Sequence, residues 1–500
     1  MKWMILFFIT LTALFMPESI AQSTMTVTDD PLKKADALDS LRAKGLLIFT
    51  TPFSRARGFG DGPFIPSETQ TVEPGKRPTL QGNGSFLRIN GLDAQSCNEC
   101  HMIIKHGTFP PTLGIGGVGG IATTALIQPT MVDVADSFDI RTKYVYGFDP
   151  DSPMNFDGKC DFNGRASNPP FLFGGGGIEL LAKEMTSDLQ TFLSTARNAA
   201  PGTVTRLITH TVDFGEIVSG ENGDVDLSGV TGILPEETTG LTPEQMLVIR
   251  PFGRKGDNFS MREFDRNALQ FHFGIQSVEV VGQDVDEDLD GIVNEATIEE
   301  LTYLHIFSVT NPPPFTDNLN SRAQAGFTTF QSIGCTYCHI PEINTDSSFL
   351  PLAFPEVETD PAMNVHHFIN LKDVGFHPSQ GSGKGIRVPL FADFKRHKMG
   401  PFLTESFEKD RRVFANDEFQ TARLWGVADT KPYLHDGRAT SLTEAIDQLG
   451  GEAQFARDEF FALATEDRED VLYFLSRLRT PDNPNEELLD LAASLAAESH

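Results

Sequence analysis

Cys335-Thr336-Tyr337-Cys338-His339 constrains this chain more than any other stretch. Two thiols three positions apart, with an imidazole directly after the second, suit covalent attachment of a porphyrin. The thiols form thioethers, and the imidazole binds the metal from one face. The pentad recurs as Cys97-Asn98-Glu99-Cys100-His101, so the two copies take four of the five cysteines. A redox dithiol or a four-thiolate zinc centre is the alternative for paired cysteines at this spacing. The histidine after each pair, behind an export leader, favours two covalent c-type haems. Cys97, Cys100, Cys335 and Cys338 are then the attachment points, and His101 and His339 the proximal iron ligands. Cys160 has no obvious partner and reads as a buried free thiol.

The leader is Met1 to Ala21: Lys2, the apolar run Met4 to Met16, then Ser19 and Ala21 around a cleavage point. The apolar run is too short to span a bilayer comfortably, and no other window is apolar enough. The expectation is a soluble periplasmic protein, in the compartment where c-type haem is attached in bacteria. A net charge of −29 argues against nucleic acid as a partner. It leaves a cationic redox partner or simply an acidic surface. Phe is frequent (40) and Trp scarce (2), which suits apolar walls around a large planar group.

Asp30 to Lys44 has helical pattern, with Asp30 as N-cap and Gly45 as its end. Residues 51–84 read as loop. The glycine run 174–177 lacks the Gly-Lys-Ser/Thr ending of a phosphate loop and instead allows backbone to approach a bulky group closely. A helix follows, from Ile178 to about Arg197. Thr203 to Gly232 alternates apolar and polar residues and reads as short strands or a hairpin, an insertion at about 200–240. In 284–295, Asp286, Asp288 and Asp290 followed by Gly291 have the spacing of a calcium loop. Ile292 and Glu295 (or Asn294) complete that set, since Thr297 stands where the bidentate Glu is usual. A solvated acidic turn is the alternative. Asn320 to Gly334 reads as a helix with Ala325, Phe327, Phe330 and Ile333 inward, delivering the second pentad. Thr465 to Arg479 reads as an amphipathic helix, with Val471, Leu472, Leu475 and Leu478 on one side, packing across it. The resulting organisation is a signal peptide at 1–21, an N-terminal haem unit at 22–315, a C-terminal unit at 316–480 and a loosely held tail at 481–500. The fold class is mainly α, with long loops and a small β-containing insertion.

Leu424-Trp425-Gly426, Tyr433-Leu434-His435-Asp436-Gly437-Arg438-Ala439, Glu444-Ala445-Ile446 and Gly450-Gly451-Glu452-Ala453 resemble the bacterial di-haem oxidoreductase family, which is related to di-haem cytochrome c peroxidases and MauG-type enzymes. The resemblance implies two cytochrome c-like domains, one haem handling electrons and the other substrate, with calcium between them. It also implies hydrogen peroxide as oxidant and a small cytochrome or cupredoxin as redox partner. It makes Glu179 similar to the distal glutamate of the peroxidases, a carboxyl expected to move a proton with a raised pKa. A glutamate at a helix N-terminus, stabilised by the dipole, is the competing account. His435 and Arg438 are candidates for holding haem propionates or a water near iron, or else belong to a turn set by Asp436-Gly437. Trp425 packs against the second haem or relays electrons. Where family members commonly carry an iron-ligating histidine, this chain has Leu449, which cannot bind iron. Met399 and His272 are the replacement candidates, each with a structural role as the alternative. Two further functions stay open: an electron carrier with no substrate of its own, and MauG-like oxidation of a protein side chain.

Overall fold

The structure is a computed structural model and describes residues 35–51, 53, 57, 96–99, 101, 168–170, 172–235, 238, 240–273, 275–286, 291–381, 383–404 and 415–498, together with the backbone of 126–131 and 162–167. The leader, Cys100, Cys160, Asp288 and Asp290 lie outside the described residues, as does the side chain of His272.

Helices carry the architecture, and the strands form one three-stranded and five two-stranded sheets among the described residues. Helix α1 (Ala35–Thr50) runs straight through Gly45, where the sequence suggested a stop. The reason is packing. A Cβ at Gly45 would overlap the Tyr303 carbonyl oxygen, so the missing side chain lets α1 lie flush on a later helix. The backbone of β1 (Leu126–Met131) pairs antiparallel with β2 (Phe162–Ser167).

Helix α2 (Gly175–Asn198) is the most deeply buried element, its first eight residues all inaccessible. Its glycines do approach bulky groups: a Cβ at Gly174 would run into the Trp425 indole, and one at Gly177 into the Phe376 ring. The expected hairpin is β3 (Val204–Thr209) and β4 (Val212–Ser219), joined by His210 and Thr211 and extended by β5 (Val225–Asp226). It is not a detached insertion. Leu207, Val212, Phe214 and Ile217 share one core with Leu189 and Leu193 of α2.

Helix α3 (Met261–Ala268) starts at Ser260, whose hydroxyl accepts from Glu263 N. Helix α4 (Ile298–Val309) starts in a capping box between Thr297 and Glu300. This occupies Thr297 and places α4 against α1. Helix α5 (Ser321–Ser332) is capped by Asn320 and leads into the second pentad. Its buried face is Ala323, Gly326 and Phe330, with Ala325 exposed. The face turns because a Cβ at Gly326 would overlap the Asp470 carbonyl oxygen of helix α6 (Thr465–Leu475). Helix α6 does pack across α5, using Val471, Phe474 and Leu475, whereas Leu478 sits in a short strand paired with Thr316.

Residues 481–500 are not a loose tail. Helix α7 (Leu489–Glu498) returns to α1. Leu488 and Ala492 enter the core that holds Leu46, Phe49 and Phe307. Asn485, fully buried, donates to Asn311 Oδ1 at 2.7 Å. No helix among the described residues is long and apolar enough to cross a membrane.

The crossing at Gly326 yields a prediction. Gly326→Ala forces α5 off α6 and destabilises the protein by about 1–3 kcal/mol or more, read by urea unfolding, while the exposed Thr328→Ala changes little. Equal stability of the two variants would contradict the flush crossing.

Candidate functional site

Both pentads adopt one local form. Cys97–Glu99 and Cys335–Tyr337 are single 3-10 turns, and in each the histidine amide closes back on the first cysteine: His101 N to Cys97 O at 3.0 Å, His339 N to Cys335 O at 3.0 Å.

The second pentad is the more completely described. Cys335 and Cys338 are not joined as a disulfide. Burial pushes the Cys335 thiol up to about 12, the opposite of the lowered value that a redox dithiol needs. His339 Nδ1 lies 2.9 Å from the carbonyl oxygen of Phe391. A carbonyl only accepts, so Nδ1 carries the hydrogen and Nε2 keeps its lone pair. Burial lowers the imidazole pKa, which favours the neutral ring that a metal requires. Phe391 holds its carbonyl there from a left-handed backbone, φ 54°, which is rare for a bulky residue and costs roughly 1–3 kcal/mol. Phe327, Phe330, Phe391 and Phe474 wall this side, with ring centroids 5.0 to 6.5 Å apart and Phe330 6.3 Å from His339.

Cys338, Asp393 and His397 present their ligand atoms within 4.8 Å of one another. His397 Nε2 is 3.1 Å from Asp393 Oδ2, and Nδ1 is 2.8 Å from Glu452 Oε2. Burial opposes the charge on this ring, but Asp393 and Cys338 outweigh it and raise the pKa to about 11. The contribution of Cys338 disappears when its sulfur is a thioether. Sequence reasoning passed over His397 in favour of its neighbour Met399. Met399 is half-buried, and its carbonyl lies against Gly450, directly after Leu449, so the two positions share one neighbourhood.

The His435 loop is closed by Tyr433 N to Ala439 O at 2.8 Å. His435 stacks on Phe419 with centroids 4.7 Å apart. Arg438 ties the loop to a neighbouring segment: Nε donates to Asp436 Oδ2 at 2.5 Å and Nη1 to the Phe402 carbonyl at 2.8 Å. Asn168 docks on the same loop, its amide nitrogen donating to Pro432 O and Leu434 O. Trp425 is 3% exposed, with its ring over Gly174. Its buried Nε1 finds no hydrogen-bond acceptor among the described residues, nor does the buried Asn168 Oδ1 find a donor.

A haem fits this donor set. Two unbonded thiols, a neutral imidazole whose Nδ1 hydrogen is tied to a backbone carbonyl, an aromatic wall and an indole N–H without an acceptor among the described residues are what a covalently held porphyrin and its propionates would use. Of the first pentad, the structure describes all but Cys100, with His101 6.5 Å from Phe49 and Phe49 5.3 Å from Phe307 of α4.

Glu179 lies in the first turns of α2, fully buried. Its Oε1 is 2.7 Å from Lys183 Nζ, and its Oε2 accepts from Met261 N at 2.8 Å and faces His305 Nε2 at 3.3 Å. Burial alone would raise its pKa, but Lys183 and His305 bring it down to about 2. The expected raised value is therefore corrected: Glu179 is a clamped carboxylate. The raised carboxyl is Asp265 of α3, which sequence reasoning missed. Burial drives it well above the usual range. Ser308 of α4 donates to its Oδ1 at 3.1 Å, while Oδ2 is buried with no partner among the described residues. Nothing in the local sequence marks Asp265. Only the fold, which puts α3 under α4, isolates it.

In the acidic loop, Asp286 Oδ2 accepts from Gly291 N at 3.0 Å. Glu295, 3% exposed, accepts from Gln276 N at 2.8 Å, and Ile292 is half-buried.

Residues 287–478 match the sequence profile of the family described as "Di-haem oxidoreductase, putative peroxidase". Two solved structures are similar. Hydrazine synthase from Kuenenia stuttgartiensis, pressurised with xenon, is 16% identical over 60% of this chain and 86% of its own, with a TM-score of 0.26. A MauG-like protein associated with microbial copper homeostasis is 15% identical over 61% of this chain and 87% of its own, also with a TM-score of 0.26. No curated protein matches the chain.

The two buried carboxyls respond oppositely to pH. Glu179 titrates near 2 when folded and near its ordinary 4.5 when unfolded, so its contribution is full above about 4.5 and lost as pH falls towards about 2. Asp265 is raised, so it favours the fold below its ordinary 3.8 and penalises it as pH rises through the folded value. Glu179→Gln is expected to destabilise by on the order of 3–5 kcal/mol at neutral pH, with the gap narrowing towards pH ~3. Asp265→Asn is expected to raise the Tm at neutral pH and to lose that advantage in acid. Thermal scans showing pH-independent effects for both would contradict these assignments.

Proposed function

We propose that this chain, whose residues 287–478 match a di-haem oxidoreductase family, is an exported di-haem c-type oxidoreductase that reduces a peroxide with electrons from a soluble redox protein. The observation that carries the reading is the His339 ring, directly after Cys338 and with its Nδ1 hydrogen committed to the Phe391 carbonyl, the usual setting of a metal-bound imidazole.

Bound haem would supply one-electron chemistry at iron. The chain supplies the rest. Cys335 and Cys338 would hold the porphyrin, and His339 would bind its iron. The phenylalanine wall keeps water from that face. Trp425 Nε1 offers a hydrogen to an acceptor such as a propionate. Peroxide reduction also consumes protons, and a pair of carboxyls with pKa values pushed apart is the arrangement that can hold one proton and release it. Asp265, its carboxyl driven well above the usual range by burial, is the member suited to hold a proton, and Glu179, kept ionised by Lys183 and His305, supplies the opposing charge. Both touch α4, through His305 and Ser308, the helix whose Phe307 meets Phe49, itself beside His101. The periplasm as location rests on the Met1–Ala21 leader, and calcium at Asp286 and its neighbours rests on loop spacing.

Purified protein should consume hydrogen peroxide with a reduced artificial donor. Asp265→Asn should lower kcat by about 10²-fold or more while the reduced haem spectrum persists, and His339→Ala should remove one haem's share of the absorption. Two irons that stay six-coordinate and spectrally unchanged with cyanide or peroxide would overturn the enzyme reading and leave an electron carrier.

A further inference from the structure

A second group of ligating side chains lies away from both pentads. His210 stands in the turn between β3 and β4, with φ 47°. Its Nδ1 is 2.8 Å from the carbonyl oxygen of Asn344. That carbonyl can only accept, so Nδ1 carries a hydrogen and Nε2 is left to face the cluster. There it meets Glu184 Oε2 of α2 at 3.5 Å and Asp188 Oδ2 at 3.9 Å. His210, Glu184 and Asp346 bring their ligand atoms within 4.8 Å of one another.

Three features distinguish this group from a surface ion pair. The His210 side chain is only 7% exposed, so its Nε2 is aimed into the cluster rather than into water. Both oxygens of Glu184 accept backbone amides, from Asp346 N at 2.8 Å and Ser347 N at 2.9 Å, which fixes the carboxylate and leaves each oxygen a further lone pair. The third feature is spacing. A charge-assisted imidazolium–carboxylate bond closes to about 2.7–2.9 Å. Two ligands each held about 2.0–2.1 Å from a tetrahedral ion stand about 3.3–3.5 Å apart, as Nε2 and Oε2 do here. A histidine that gives its other N–H to a backbone carbonyl is also the usual setting of a metal-bound imidazole. Three carboxylates around one imidazole leave an excess of negative charge that a divalent cation would neutralise.

We propose that His210 Nε2, Glu184 and Asp346 form a binding site for a first-row divalent cation of the zinc type, with Asp188 at its rim. Such an ion joins helix α2, the β3–β4 turn and the stretch that runs on from Cys335–His339. It is a structural clamp, independent of the haem assignment and of the acidic loop at 284–295.

The test uses untagged, full-length protein with whatever haem it carries, stripped with EDTA and titrated with zinc chloride by calorimetry, with metal content measured by mass spectrometry. One zinc per chain should bind with micromolar or tighter affinity and raise the Tm by a few degrees. Losing a direct ligand should cost at least the ~10–100-fold typical of losing an outer-shell partner, so His210→Ala should show that loss. Asp346→Asn, at an exposed position, should weaken binding too, with circular dichroism and haem absorption unchanged. Wild-type protein that takes up no zinc, or uptake that neither substitution weakens, would overturn the site.

Discussion

An imidazole that binds a metal through one nitrogen almost always gives its other N–H to an acceptor, and the second pentad is arranged in that way. The Phe391 carbonyl takes the Nδ1 hydrogen of His339 from a backbone turned into the left-handed region. Around that contact the molecule places phenylalanines, with Phe474 of α6 touching Phe327, Phe330 and Phe391. The residues near it that carry unusual protonation, Cys335 and His397, owe it to burial and to the Asp393 carboxylate respectively. A redox dithiol would need neither the tied imidazole nor the phenylalanine wall, and a porphyrin would use both.

The two halves solve one packing problem in the same way. Each pentad is a single 3-10 turn, and beside each lies a pair of helices pressed together at a glycine: Gly45 of α1 against Tyr303 of α4, and Gly326 of α5 against Asp470 of α6. Removing one side chain lets the helix backbones meet and brings flanking aromatic residues towards the histidine. The chain's end then closes the first half, because α7 returns to α1 and buries Leu488 and Ala492. Between the halves runs α2. Its glycine start accepts the Trp425 indole, and its next turns hold the carboxylate of Glu179.

Local pattern carried much of this. The pentads, the helix before Cys335, the helix after the glycine run and the β3–β4 hairpin were legible because each is set by spacing or by a short alternation. What was not legible depends on contacts between distant segments. Gly45 looks like a helix stop until α4 is placed against it. The final residues look polar and loose until Asn485 meets Asn311. Glu179 looks like a proton-moving carboxyl until Lys183, one turn on, clamps it, and Asp265 looks like any helix aspartate until α4 covers it. His397 was passed over because its partners, Asp393 and Glu452, come together only through the loop that carries Gly450 and Gly451.

The central claim is that this chain carries porphyrin bonded through its own sulfur atoms. The most direct measurement is the intact mass of the exported protein under denaturing conditions, followed by peptide mapping around Cys97–His101 and Cys335–His339. The account predicts a mass greater than the polypeptide by two haems, one on each pentad peptide, surviving acid and organic solvent. A bare polypeptide mass, or pigment that leaves with the solvent, would contradict it.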